Sequence, residues 1–187
     1  REIKNDIVAG KYIAKSDFED IVPIDKWKVP KFSKRWGVKC RFHDFEEYEK
    51  LHSPVVEFHC SDTDLDVEFQ GGSRHSQLVV HAPEIVDRKL VDICSDNEQV
   101  VQYSIDILQK TIDKTLEIAK NFPSAKPKLV MHLGGMSLDH VVKEKPNELM
   151  MEKAIDKFKR LVYNNSDIEI LPDNLPPTPW YLGGQWF

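Results

Sequence analysis

Two apolar runs in this chain stop on a histidine: Gln77-Leu78-Val79-Val80-His81-Ala82-Pro83 and Lys128-Leu129-Val130-Met131-His132-Leu133-Gly134-Gly135. Each is rich in branched aliphatics and bounded by Pro or Gly-Gly, the pattern of a short parallel strand covered on both faces. Between them runs a long helical pattern from Asn97 to Asn121. Strand, helix, strand is a right-handed crossover, which brings both carboxyl ends to one edge of one sheet. Ligands bind at that edge in open α/β sheets and in (β/α) barrels, so His81 and His132 are candidate ligands for a metal or a substrate.

The rest of the chain extends this alternation. Trp36 to Phe42 predicts a first strand, followed by a short amphipathic helix through Phe45, Tyr48 and Leu51 that Pro54 stops. Val55 to Cys60 predicts a second strand, and Ile168 to Asp173 a fifth. In the long helix Val101, Ile105, Leu108, Ile112, Leu116 and Ala119 form the expected apolar stripe, with Asp96 or Ser95 as N-cap. A further helix opens at Pro146-Asn147, runs through Val162 and ends at Asn164-Asn165. Five strands joined by helical or loop crossovers predict an α/β protein with a parallel sheet.

Composition narrows the functional classes. A formal net charge of -5 gives no electrostatic footprint for nucleic acid, which is therefore disfavoured as a partner. No apolar run approaches the roughly 20 residues of a membrane span, and no leader pattern is visible. Cys40, Cys60 and Cys94 are odd in number and widely spaced, which predicts buried free thiols rather than a disulfide framework or a structural zinc site and suits a reducing cytoplasm, the location expected.

His43, His59, His81 and His132 fall at the carboxyl ends of the predicted strands, and Asp173 ends the fifth. Imidazole nitrogen with carboxylate oxygen suits a divalent Zn, Mn, Co or Fe ion. Glu57 shares a strand face with Val55 and His59 and is a candidate for substrate binding or catalysis; the alternative is a salt bridge to Lys39 or Arg41. Asp62, Asp64 and Asp66 lack the glycine and terminal glutamate of a calcium loop and are expected to form a simple turn. Arg74, His75 and the aromatics Trp180, Tyr181, Trp186 and Phe187 carry no spacing that demands a ligand.

Three of these stretches carry a family resemblance. His81-Ala82-Pro83, Val130-Met131-His132-Leu133-Gly134-Gly135 and Leu171-Pro172-Asp173-Asn174-Leu175-Pro176-Pro177 resemble, in order and spacing, the third, fourth and fifth strands of the xylose-isomerase-like barrels. That superfamily includes sugar phosphate isomerases and epimerases and endonuclease IV type nucleases. The resemblance covers about residues 37 to 187. It implies a parallel (β/α) barrel, present as an incomplete barrel because a complete one takes about 250 residues. It further implies a metal at His81, His132 and Asp173, with Asp173 standing where the family carries Glu and serving as ligand or base. Glu57 is then a second catalytic candidate, and His43, His59 and Asn174 are expected to bind substrate.

The implied activity is divalent-metal-dependent isomerisation or epimerisation of a sugar or sugar phosphate. The alternatives are an endonuclease IV-like hydrolysis and a non-catalytic sugar-binding module. Arg1 to Phe18 resembles the opening of the SAF, or antifreeze-like, domain of sialic acid synthases, which implies a boundary near residue 36 and a tie to sialic-acid-like sugar biosynthesis. A start on Arg1 and the lack of later barrel strands lead us to expect a longer chain, or a homo-oligomer covering the open barrel edge.

Overall fold

The structure, a computed structural model, describes residues 33–123, 126–134 and 148–173. The SAF-like opening, Asn174 and the aromatic tail lie outside the described residues. Strand β1 (Val38–Cys40) leads through a 3-10 turn (Phe42–Asp44) into the short helix α1 (Phe45–Glu49). Then come β2 (Val55–His59), β3 (Gln77–His81), a small hairpin of β4 (Ile85–Val86) and β5 (Lys89–Leu90), and the long helix α2 (Glu98–Ala119). Strand β6 (Lys128–His132), helix α3 (Glu148–Asn164) and strand β7 (Glu169–Asp173) complete it.

Five strands form one parallel sheet in the order β1-β2-β3-β6-β7. The predicted strands are therefore all present, and each lies beside the next one in sequence. Among the described residues the sheet is open, with β1 and β7 at its edges. An order that never reverses means that successive right-handed crossovers lie on the same side of the sheet.

Burial follows from that arrangement. Val56, Phe58, Val80, Leu129 and Met131 are fully buried and cluster with Leu108, Ile112 and Ile118 of α2. The alternate residues Val55, Glu57, His59, Gln77, Val79, Lys128, Val130 and Leu171 are only partly buried and form the opposite face. All three thiols, Cys40, Cys60 and Cys94, are buried and free, and burial pushes each up to about 12. No helix among the described residues is long and apolar enough to cross a membrane.

Local details depart from expectation. The N-cap of α2 is Asn97, whose side chain accepts from the Gln99 amide at 2.9 Å, rather than Asp96 or Ser95. The buried face of α2 is turned toward Ser104, Thr111 and Thr115, while Ile105, Leu116 and Ala119 are only partly buried. Those hydroxyls can enter the core because each bonds a carbonyl one turn back: Val100, Ile107 and Thr111 respectively. Glu57 stands in register with Lys39, yet no ion pair joins Glu57 to Lys39 or Arg41 among the described residues. Asp64 is buried and accepts from the Ser61 amide and hydroxyl at 2.7 Å, and Asp66 pairs with Lys110, so that acidic turn is locally satisfied.

Candidate metal centre

Strand register builds the site. His59 of β2 is paired with His81 of β3, and His132 of β6 is paired with Asp173 of β7. His81 is paired with Val130, so His132 stands two residues further along β6 with its side chain on the same face. The three imidazoles consequently line up along the carboxyl edge. Ring centroids of His59 and His81 are 4.4 Å apart, and those of His81 and His132 are 5.0 Å apart.

The hydrogen bonds orient the rings. Nδ1 of His81 lies 2.9 Å from the carbonyl of Ala82, and a carbonyl only accepts, so Nδ1 carries the proton. Its Nε2 is left with the lone pair a metal needs. Burial lowers the pKa of His81 and the neighbouring His132 adds to this, outweighing the Ala82 bond and the Glu57 and Glu84 charges, so the ring stays neutral. In His132, Nδ1 faces the Asp173 carbonyl at 3.1 Å and Nε2 faces the Glu84 carboxylate at 3.1 Å. Burial pulls this pKa down, but the Glu84 hydrogen bond, the Asp173 carbonyl and both carboxylate charges outweigh it and leave it raised. His59 is lowered to about 4, first by burial, then by the charges of His81, Lys39 and Arg41.

Two sets of donors result. His81, His132 and Asp173 form one and His59, His81 and Glu84 the other, with the ligand atoms of each set within 4.8 Å of one another. Both histidines of the first set are 6% exposed and hold Nδ1 on a backbone carbonyl, the arrangement that fixes tautomer and ring direction in metal-binding histidines. The donor chemistry, two imidazoles with carboxylates, fits a first-row divalent ion.

Of the residues singled out from sequence, His59, His81, His132 and Asp173 are brought together, and Glu57 lies on the same face one pleat below His59. His43 is elsewhere. It is exposed in the 3-10 turn and lines a separate cavity of about 480 Å³ with Phe45, Glu46, Asp64 and Phe69. Glu84 was not anticipated. The signal for it was a carboxylate three residues past a strand-end histidine, in His81-Ala82-Pro83-Glu84, at the base of the β4–β5 hairpin that the Val91 amide closes onto the Glu84 carbonyl.

Fold and site together define an α/β protein with a five-stranded parallel sheet and a histidine–carboxylate cluster, capable of holding a metal, at the carboxyl edge of its strands. Comparison with protein-family models, with curated proteins and with solved structures found no match to this chain.

Proposed function

We propose that the sheet is an arc of a (β/α) barrel of the xylose-isomerase-like type and that the chain is a divalent-metal-dependent isomerase or epimerase of a sugar or sugar phosphate. The observation that carries this is the convergence of His81, His132 and Asp173, drawn from three strands, with both imidazoles pinned through Nδ1. The unreversed strand order supports the barrel, because right-handed crossovers then put the described helices on one side of the sheet, as on the outside of a barrel. A tie to sialic-acid-like sugars rests on the resemblance of Arg1 to Phe18 alone.

A bound Zn, Mn, Co or Fe ion would be held by His81, His132 and Asp173 and would supply Lewis-acid polarisation of a substrate carbonyl. The chain's own groups do the rest. A carboxylate beside the cluster, Asp173 or Glu57, takes the proton from the carbon next to that carbonyl and returns it to the neighbouring position. Neutral His59 offers a hydrogen bond to a substrate hydroxyl. Glu84 holds Nε2 of His132 and can exchange that proton for an ion.

Metal analysis of the untagged chain, joined to exchange of substrate C–H for deuterium followed by NMR, tests the reading. Bound ion and exchange are expected together, His132→Ala losing both and Asp173→Asn, which removes a proposed ligand as well as a candidate base, weakening both. A chelator-stripped protein with unchanged turnover would overturn it, and cleavage of abasic duplex DNA instead would favour the nuclease.

A further inference from the structure

The carboxyl edge does not end at the histidines. On β1, Lys39 stands in register with Glu57, so the following odd residue, Arg41, extends past the strand end beside His59 on the same face. Arg41 is anchored there: its guanidinium donates to the His59 carbonyl and its amide donates to Asp44 at 2.6 Å. That uses one corner of a planar group with five N–H donors. Neither Lys39 nor Arg41 enters an ion pair among the described residues, although carboxylates lie on neighbouring strands. Two cations at this end of the same sheet face, without a carboxylate partner among the described residues, leave a positive end beside a cluster that becomes acidic toward Glu84 and Asp173.

We infer that Lys39 and Arg41 form the subsite for an anionic substituent, a phosphate ester, on the substrate whose other end lies at His81, His132 and Asp173. This rests on the proposed function in taking the carboxyl edge as the substrate site. The spacing agrees with it. From β1 to β3, whose His81 is the nearest member of the cluster, the sheet spans two strand separations, about 10 Å, the scale of a pentose or hexose phosphate from its phosphorus to its opposite end. Arg41 supplies a planar, bidentate fork for phosphate oxygens and Lys39 a mobile point charge, a division of labour common in phosphate sites. The substrate class is therefore a phosphorylated rather than a neutral sugar.

Calorimetric titration of D-ribose 5-phosphate and of D-ribose into the whole chain, with Mn present and again after chelator treatment, tests this. The phosphate ester should bind at least about tenfold more tightly than the free sugar, a difference of the size of one charge-assisted contact. Lys39→Gln should erase most of that advantage, while Lys126→Gln, the same charge change at another exposed lysine, leaves it intact. Arg41→Gln should act in the same direction; since it also loosens the His59 carbonyl, Lys39, which is exposed and bonds no side chain among the described residues, is the deciding position. Equal affinity for the two ligands, no binding of the ester, or an advantage that survives Lys39→Gln would overturn the inference. If the ester binds preferentially to a chain that takes up no ion, the metal reading alone falls. If Mn binds and no preference appears, the phosphate subsite alone falls.

Discussion

At His132, a proton and a metal ion would compete for the same nitrogen. Nε2 faces the Glu84 carboxylate, and the ring is held toward its charged form, so an entering ion must displace that proton. Glu84→Gln removes the charge but keeps the shape. With that charge gone the proton on Nε2 is held less firmly, so ion binding should fall off less steeply with acid than in the wild type, as read against a chromogenic chelator across the pH range in which His132 titrates; identical pH dependence in the two proteins would rule the proton competition out. His59 makes the opposite prediction about stability. Its folded pKa, about 4, lies below the ordinary 6.5, because burial and the nearby cations disfavour the charged ring. Folding therefore excludes a proton. The stability is complete above pH 6.5 and is lost as the pH falls through about 4. Denaturant midpoints measured over that interval should drop with acid, and less steeply in His59→Gln; parallel curves for the two proteins would rule out this assignment.

At the scale of the element, the loop after β6 depends on a glycine. Gly134 has φ of +112°, and a methyl there would overlap the Asp92 carboxylate, which already accepts from the Cys94 amide at 2.8 Å. Gly134→Ala should cost on the order of 3 kcal/mol, from backbone strain and a displaced buried acceptor, measured by chemical denaturation. The glycine was visible in the sequence as a strand stop; its contact with Asp92 was not, because the two residues meet only through tertiary packing. The same division holds elsewhere. All five parallel strands were legible, since each is a short apolar run ended by a turn signal. The hairpin β4–β5 was not, because its turn residues Asp87 and Arg88 adopt positive φ of 50° and 62° without the glycine that marks such turns. The true buried face of α2 was hidden for a related reason: Ser104, Thr111 and Thr115 count as polar in any periodicity, yet their hydroxyls are satisfied within the helix. Glu84 was hidden because it lies three residues past the end of β3 and meets His132 only through tertiary packing.

For the whole molecule, the site and the fold depend on one register. His59, His81, His132 and Asp173 come from four strands and meet only when β2, β3, β6 and β7 are aligned as they are; a slip of one residue in β6 would turn His132 to the helix side. An unfolded chain cannot present that set, so an ion taken up by the folded protein must stabilise it. At a free ion concentration a hundredfold above the dissociation constant the gain is about 2.7 kcal/mol, provided the unfolded chain does not bind. Urea midpoints should therefore rise on titration with Mn or Zn, return on adding chelator, and stay unmoved in His132→Ala. The variant also controls for ions held by exposed carboxylates, which it retains. A wild-type midpoint indifferent to divalent ions, or a rise of equal size in His132→Ala, would separate the fold from the metal and leave the aligned histidines without the role proposed for them.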